Sequence, residues 1–316
     1  MLFPKRTTMM TPFQSGIIAE ASSDALFITL NVNRSEISAL KRALAAAPAL
    51  IEELQAQFSA AELHASIGLS SLIWDELDTT RPQFLTTFPH ITGKDVEFTP
   101  TDVDLVLHIR SSRHDATYQL ASVLFKAFGN SVKLVDEVSC FKYLDNRDLT
   151  GFVDGTENPA GEQRKAVALV GDEDLRFEHG SYFNLIRFVH DLEKWEKEDI
   201  KTQEDTYGRT KHTNQEYPSA EKSVHAHTKR TSLKDENGNS MEILRHSMPF
   251  ASLREKGLMF ASYSKTPVIF NLMLESMVKG DENGNTDHLM KYTRATTGQA
   301  FFVPSNQWLT SLSNSK

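Results

Sequence analysis

The first half of the chain alternates between strand-like and helix-like hydrophobic patterns in one order. Strand patterns are short runs of β-branched and aromatic residues, whereas helix patterns repeat apolar residues every three or four positions. The segments are, in order, ALFITLNV (25–32), ISALKRALAAAPALIEELQAQF (37–58), LHASIGL (63–69), DLVLHIRSS (104–112), RHDATYQLASVLFKAF (113–128) and KLVDEVSCFKYL (133–144). Asn33 or Ser35 can cap the first helix, which only Pro48 interrupts. This β-α-β-β-α-β order predicts a ferredoxin-like unit.

The second half repeats this order less cleanly. Its segments are GSYFNLIRFVHDL (180–192), a strand leading into a helix with Trp195; SVHAHTKRTSL (223–233), a strand; GLMFASYS (257–264), a strand; TPVIFNLMLESMVKG (266–280), a helix closed by Gly280; and GQAFFVPS (298–305), a last strand. The repeat is one of element order alone. We therefore expect an α+β fold of two ferredoxin-like units, resembling a dimeric α+β barrel, with domains at 1–145 and 146–316.

Charge and composition exclude several classes of protein. The formal net charge of −8 and the pI near 5.8 argue against nucleic-acid binding. No apolar run reaches the roughly 18 residues that span a bilayer, so no membrane partner is expected. The N-terminal segment MLFPKRTTMMTPFQSG lacks the apolar block of a leader, and Cys140 is the single cysteine. These features predict a cytoplasmic protein.

The stretch GFVDGTENP (151–159) places Asp154 between two glycines. Alone, it is compatible with a turn in which the aspartate side chain bonds the backbone. The chain contains no HExxH, GxSxG, GxxxxGK[ST] or GxGxxG motif. His225 and His227 lie two positions apart on a predicted strand and should share a face. A single histidine ligand without sulfur is compatible with five-coordinate haem iron, although a histidine on a strand is more often a hydrogen-bonded core residue.

Several separated motifs together resemble the dye-decolourising peroxidase family. They are GFVDGTENP, HTKR (227–230), ILRHSMPF (243–250), GLMFASYS and TDHLMKYTRATTGQAFFVPS (286–305), in that order. The resemblance extends over nearly the whole chain from FQSGI (13–17) and includes the family's GxxDG motif with a distant histidine and arginine. It implies a peroxidase that reduces hydrogen peroxide at ferric haem b, one per chain, and oxidises phenols, dyes or similar one-electron donors.

The resemblance also implies roles for particular residues. Asp154 would be the acid on the peroxide side, where it accepts and returns a proton during O–O cleavage. Its reference pKa is about 4, so activity at acid pH is expected. His227, in the H-x-x-R spacing with Arg230, would be the iron ligand, and Asp287 would accept its other N–H. Arg245 would stabilise charge on the peroxide side. Without the family, Asp287 is equally a helix cap and Arg245 a surface ion-pair residue.

Other implied contacts are less specific. Ser247 would share a face with Arg245 and hold a water where many members have asparagine, while His246 would point the opposite way. Asn158, Phe260 and Met273 would line the pocket, with packing or turn structure as the alternative. Aromatic residues that could relay electrons from bulky donors, or simply belong to the core, are Trp195, Tyr263 and Trp308.

Alternative functions remain open from the sequence. The same pocket could release iron from porphyrin, or the protein could be a haem carrier or sensor. A ferredoxin-like dimeric barrel that binds a small aromatic substrate without metal is a further possibility. Hydrogen peroxide and a small-molecule reductant are the expected partners. A homo-oligomer, dimer or higher, is also expected, because exposed ferredoxin-like sheets commonly pair.

Overall fold

The computed structural model describes residues 11–314. The first ten residues, which carry most of the segment used above to predict location, lie outside this described part. The last two residues of the chain lie outside it as well.

The described residues form alternating groups of strands and helices. The strands are β1 (Asp24–Val32), β2 (His64–Leu69), β3 (Ile91–Thr92), β4 (Glu97–Phe98), β5 (Leu105–Ser111), β6 (Val132–Phe141), β7 (Ser181–His190), β8 (Leu244–Arg245), β9 (Met248–Ala251), β10 (Lys256–Ser264), β11 (Thr293–Ala295) and β12 (Gln299–Val303). The helices are α1 (Ile37–Gln57), α2 (Ser71–Leu77), α3 (His114–Phe128), α4 (Gln163–Ala168), α5 (Leu192–Trp195), α6 (Ile200–Tyr207), α7 (His227–Thr231), α8 (Val268–Val278) and α9 (Asn306–Ser311).

One continuous antiparallel sheet runs through both halves of the chain in the order β6-β1-β5-β2-β12-β7-β10-β8. In each half the spatial order is fourth, first, third and second strand of the unit, with β9 also paired to β10. Phe302 of β12 pairs with Leu69 of β2 where the two units meet. The predicted α+β fold of two ferredoxin-like units is thereby confirmed.

The two faces of the first unit's sheet have different partners. On β5, Leu105, Leu107 and Ile109 belong to a core formed with α1 and α3. The alternate residue Val106 belongs to a second core, because successive side chains of a strand point to opposite faces. This second core also contains side chains from β7, β10 and β12 of the second unit, among them Phe183. The two units therefore share one core between their sheets.

The sheet also curves so that its two ends approach each other. Strand β6, at one end, contacts β9 near the other. Arg187 of β7 forms ion pairs with Asp136 of β6 at 3.0 Å and with Glu255 at 2.9 Å. Its guanidinium also lies over the ring of Phe250, 4.8 Å from the centroid. These contacts produce the barrel-like arrangement expected for the fold.

The helices that follow the first strand differ between the units. In the first unit, α1 is a single helix of 21 residues that continues through Pro48. In the second unit, α5, α6 and α7 contain 4, 8 and 5 residues and occupy the connection from β7 to β8. The outer face of the second unit's part of the sheet is therefore covered mainly by α8, and space remains beside this helix.

The predicted strand at 223–233 is wrong. Residues 223–226 form a turn, in which the Ala226 N–H donates to the Ser223 carbonyl, and α7 begins at His227. The buried Arg230 anchors this helix by donating to the Asn285 carbonyl at 3.0 Å and pairing with Asp281 at 3.1 Å. Tertiary contacts thus override a local alternation of apolar and polar residues.

Asn33 accepts a hydrogen bond from the Ser35 N–H and caps a 3-10 turn that precedes α1, close to the predicted cap. Between residues 11 and 314, none of the helices is both long enough and apolar enough to traverse a lipid bilayer.

Candidate active site

A cavity with an empty volume of about 1130 Å³ lies between the second unit's sheet and the helices α7 and α8. We call it the apolar cavity. Its apolar wall consists of Ile186, Phe188, Ile243, Leu258, Phe260, Phe270, Met273, Leu274, Met277, Leu289 and Met290. Polar side chains occur at distinct places in this wall, including His227 and Asp154. The long apolar wall with a few polar groups is typical of a site for a large, mainly apolar ligand.

His227 and Asp287 form a hydrogen-bonded pair at this cavity. His227 Nδ1 lies 2.6 Å from Asp287 Oδ2, and the Asp287 side chain has no exposed surface. The other carboxylate oxygen of Asp287 accepts from the Leu289 N–H at 2.9 Å, so the residue also caps a short 3-10 turn. Asp287 is therefore both the hydrogen-bond partner of His227 and the cap of a helical turn. The bond to Nδ1 leaves Nε2 of His227 as the nitrogen available to a ligand.

His225 does not share a face with His227, contrary to the expectation from a strand. Its ring stacks on that of His288, with centroids 3.9 Å apart, and its Nδ1 lies 2.9 Å from the Thr286 carbonyl oxygen. The two histidines diverge because the chain turns from an extended residue at Ala226 into α7. Only His227 lines the apolar cavity among these neighbours.

The GFVDG motif folds into a small hairpin-like loop that carries Asp154. Val153 forms an antiparallel bridge with Arg147, and the Asp154 N–H donates to the Asn146 carbonyl at 2.9 Å. Both glycines have positive φ, +89° at Gly151 and +76° at Gly155, a conformation that side chains rarely adopt. The glycines are thus required by the turn that positions the aspartate.

The environment of Asp154 changes its acidity. Burial raises the pKa of this carboxyl above the ordinary value of 3.8. The charge of Asp148 acts in the same direction, while Arg245 and the Gly155 N–H oppose the rise. The expectation that Asp154 has a pKa near its reference is therefore wrong, because a chain segment read alone does not reveal how deeply its acid is buried.

Arg245 reaches the same place from a different element, the short strand β8. Its backbone N–H donates to Asn158 Oδ1 at 2.9 Å, and Asn158 Nδ2 donates to its carbonyl at 2.7 Å. The side-chain amide of Asn158 thereby connects the loop after Asp154 to β8 as a neighbouring strand would. Arg245 Nε is buried and has no hydrogen-bond partner among residues 11–314. Asn158 therefore fixes the Arg245 backbone, and the Arg245 side chain lines the same cavity as Asp154. Its Nε remains an unused hydrogen-bond donor within the described part of the chain.

A second cavity, with an empty volume of about 960 Å³, meets the first at Asp154, Gly155 and Arg245. We call it the charged cavity, and its charged lining residues are Glu20, Arg110, Lys142, Arg147, Asp154, Arg164 and Arg245. Ser247 and Asn158 line this second cavity and not the apolar one. The Ala261 N–H donates to Ser247 Oγ at 3.4 Å, so the hydroxyl is fixed near β10.

Of the remaining predicted residues, two line the apolar cavity and one points away from it. Phe260 and Met273 line the apolar cavity, where Phe260 packs against Phe270 with ring centroids 6.0 Å apart. His246 turns away from Arg245: its Nε2 donates to the Ile17 carbonyl at 2.8 Å. Burial, with the charge of Arg110, lowers the pKa of His246 well below its ordinary value, so this imidazole is neutral.

The family follows from comparison with known proteins. Models for the N-terminal and C-terminal parts of Dyp-type peroxidases match residues 14–142 and 145–308. A dye-decolorizing peroxidase of Mycobacterium tuberculosis (strain ATCC 25618 / H37Rv) is 34% identical over 296 residues, which are 93% of this chain and 88% of the relative. The chain belongs to the Dyp-type peroxidase family.

Solved structures of Dyp-type peroxidases agree with this assignment. A structure from Shewanella oneidensis, 43% identical, has a TM-score of 0.93 and covers 95% of this chain and 99% of its own. A variant of DypB from Rhodococcus jostii RHA1 in complex with haem, 31% identical, has a TM-score of 0.91 with coverage of 94% and 97%. The expected family, peroxidase activity and haem cofactor are confirmed. Iron release from porphyrin and a carrier or sensor role are not favoured, and the interpretation without haem loses its support.

The residues of the apolar cavity fit haem in this Dyp-type peroxidase. A haem iron needs one axial protein ligand, and His227 has one nitrogen held by Asp287 and one left for a metal. The flat macrocycle requires apolar walls, which the cavity supplies. Its carboxylates require cations, and Arg209 and Arg245 are in the lining. The buried Nε of Arg245 has no partner among residues 11–314 and is a donor open to such a group.

The sequence did not indicate a polar network in the same cavity. Thr150 Oγ donates to Asp148 Oδ2 at 2.6 Å, and Asp148 Oδ1 lies 3.1 Å from Nε2 of His190. His190 Nδ1 in turn lies 2.8 Å from Oγ1 of Thr293. Burial raises the pKa of Asp148, but the hydrogen bond and charge of His190, together with the two hydrogen bonds from Thr150, outweigh this effect and leave the pKa lowered. An aspartate and a histidine that are distant in the chain leave no local motif, so the sequence could predict that His190 lies on a strand but not that it contacts Asp148.

The aromatic residues considered for electron relay are buried in different places. Trp195 lies in a small cluster with Phe152 and Tyr292, and its Nε1 donates to the Thr150 carbonyl at 2.8 Å. Tyr263 is completely buried in the core shared by the two units. Trp308 is partly buried and stacks on Trp74 with centroids 4.7 Å apart. Each side chain thus has a packing role.

Proposed function

We propose that this Dyp-type peroxidase binds haem b in the apolar cavity and uses Asp154 and Arg245 to reduce hydrogen peroxide. The electrons come from small donors such as phenols or dyes. The observation that carries the proposal is the convergence of the two polar pairs on one cavity. His227 and Asp287 form one pair, and Asp154 and Arg245 form the other, although the chain supplies them from four separate segments.

His227 is the residue that would hold the iron. Its Nδ1 donates to the fully buried Asp287 carboxylate, which fixes the tautomer and makes the imidazole a stronger donor through Nε2. Haem, when bound, supplies the two-electron redox chemistry that no side chain in the cavity offers. Tyr207 packs edge-on against the His227 ring at 6.1 Å between centroids and limits its rotation.

Asp154 is the proposed acid and base of peroxide reduction. In its carboxylate form it accepts the proton of one peroxide oxygen, and it then returns this proton to the other oxygen. The O–O bond would break with two electrons that bound haem supplies, and one oxygen would leave as water. Two one-electron donors would then restore these electrons, and with two further protons the second oxygen would also end as water. The raised pKa of this half-buried carboxyl assists the step, because a more basic carboxylate is a better proton acceptor near neutral pH.

Arg245 is proposed to stabilise the negative charge that appears as the O–O bond breaks. A guanidinium stays protonated at any working pH and presents several N–H donors. The two hydrogen bonds between Asn158 and the Arg245 backbone hold β8 in place and so position this side chain. Asn158 therefore acts through Arg245. Ser247, which lines the charged cavity with Asp154 and Arg245, is proposed to hold a water molecule there.

The organisation and location of the protein are also proposals. Two domains, 1–145 and 146–316, are supported by the separate family models for the two parts. A homo-oligomer is supported by the exposed apolar residues Leu134 and Val135 on β6. A cytoplasmic location is supported by the single cysteine, which is buried and free.

Product analysis on the haem-loaded protein tests the proposed function. With peroxide and a phenol, we expect oxidised phenol in proportion to peroxide consumed, and porphyrin that keeps its iron. Without peroxide, no phenol should be oxidised and the porphyrin should again keep its iron. Iron-free porphyrin under either condition, or no oxidised phenol with peroxide present, would overturn the proposal.

A further inference from the structure

The charged cavity contains more positive than negative groups, in a chain whose formal net charge is −8. Five cationic side chains and two carboxylates line it among the residues that the structure describes. One of the two carboxylates is that of Glu20, whose side chain is 79% exposed, and the other is that of Asp154. The local charge is therefore opposite in sign to that of the whole protein.

Two of the cations are buried without a buried carboxylate beside them. Arg110 is 3% exposed, and it donates to the Glu20 carbonyl at 3.0 Å and Ser22 Oγ at 3.2 Å. Its remaining partner is the ring of His246, which is neutral. Burial lowers the pKa of Arg110 to about 10, which still leaves it charged. Each of these contacts satisfies a donor without neutralising the charge.

Arg164 repeats this arrangement on the same wall. It is 7% exposed and donates to the carbonyls of Ile18 at 3.0 Å and Pro159 at 3.3 Å, and also to that of Ala19. The nearest carboxylate is that of Glu20 at 3.5 Å, and 79% of the Glu20 side chain is exposed. Water therefore screens the one available counter-charge.

The rim adds a cation and an apolar surface. Lys142 lines the cavity, is exposed and forms no ion pair with any residue from 11 to 314. Tyr143, Pro159, Met248 and Pro249 contribute apolar and aromatic atoms to the same lining. A ligand that matches this surface has a small apolar body and a negative group.

We propose that the charged cavity binds a small aromatic anion, a carboxylate or sulfonate, on the side of Asp154 and Arg245 away from the apolar cavity. Its negative group would compensate Arg110, Arg164 and Lys142, and its ring would rest on the apolar rim. The inference deepens the proposed peroxidase function, on which any role of the anion as electron donor rests. Binding itself requires no turnover, so its failure is distinguishable from a failure of the peroxidase proposal.

Calorimetric titration of the haem-loaded protein with benzenesulfonate, in the absence of peroxide, tests this site. Saturable binding is expected, weakened by added salt because the attraction is partly exposed to solvent. Phenol, the neutral analogue, should bind at least several times more weakly. The charge reversal Lys142→Glu should weaken benzenesulfonate binding about three- to tenfold, since it replaces an attractive rim charge by a repulsive one.

The matched control is Lys126→Glu, which makes the same change in net charge at an exposed position of α3 outside both cavities. It should leave benzenesulfonate affinity within about twofold of the unaltered protein, as a distant screened charge does. Equal weakening in the two variants, equal affinity for phenol and benzenesulfonate, or no saturable heat below about 10 mM would each overturn the proposal.

Discussion

The two ferredoxin-like units place the same strand order under different helices. In the first unit the long α1 and α3 cover the sheet, and the face of β5 that carries Leu105, Leu107 and Ile109 is packed closed. In the second unit three short helices replace the single long one, and a cavity of about 1130 Å³ remains beside β7 and β10. The same strand order therefore carries a closed core in the first unit and a ligand-sized cavity in the second.

The connection after the first strand determines whether each unit has room for a ligand. A continuous helix buries the sheet face and leaves no room for a ligand. A broken connection exposes that face to the cavity and carries His227 at the start of α7. Substitutions in the first unit should thus change stability, whereas those around the cavity should change cofactor binding and turnover.

The largest expected effect is on the chemistry of the second unit. Asp154→Asn keeps the size of the side chain but removes the proton acceptor, so kcat/KM for peroxide should fall about 10²- to 10⁴-fold. Haem content should remain unchanged, because His227 is untouched. Asp172→Asn, at an exposed position outside the apolar and charged cavities, is the control and should retain full activity. A loss of less than tenfold in Asp154→Asn would remove this residue from the mechanism.

The closed core of the first unit should respond in stability instead. Leu107→Ala is expected to lower the free energy of unfolding by about 2–5 kcal/mol, because Leu107 is fully buried and a cavity would remain. Met273→Ala, at a side chain that already borders the apolar cavity, should cost clearly less in the haem-free protein. Chemical denaturation of both variants measures the difference. Equal costs would mean that the cavity is packed as tightly as the closed core.

A smaller effect is expected behind the iron ligand. Asp287→Asn keeps an oxygen for the Leu289 N–H but loses the negative charge that faces His227. Haem affinity should fall about 10- to 100-fold, as for other partners of metal-ligating histidines. Transfer of haem to an acceptor protein provides the rate of loss, and the reduction potential should rise. An unchanged potential would show that Asp287 serves only as a helix cap.

The pH dependence should show the smallest effect. Asp154 is active as the carboxylate, so kcat/KM should decrease as the pH falls through its pKa. Because burial raises this pKa above 3.8, the acid limb of the profile should lie above that value. Initial rates across the acid range measure it, and the limb should disappear in Asp154→Asn. An acid limb that persists unchanged in this variant would assign it to another group.

The sequence predicted most of the scaffold, and the family resemblance supplied the four main residues of the candidate site. Element order was sufficient for the first unit, because strand and helix periodicities are local. In the second unit the second strand was predicted at 223–233, whereas β8 lies at Leu244–Arg245. The positions of Asp154, Arg245, His227 and Asp287 came from the family resemblance, and the structure places all four near one cavity.

What the sequence did not predict depends on contacts between distant segments. The alternation at 223–233 resembled a strand, yet Arg230 holds it as turn and helix through Asn285 and Asp281. The bond from His190 to Asp148 joins residues 42 positions apart and leaves no motif. The raised pKa of Asp154 likewise results from burial by other parts of the chain.

The absorption spectrum of the haem-loaded protein, recorded before and after one equivalent of hydrogen peroxide without a donor, shows whether peroxide reacts at the haem. If haem held by His227 faces Asp154 and Arg245 in the apolar cavity, the Soret band should change promptly and then return when a phenol is added. A Soret band that stays unchanged with peroxide would contradict the account.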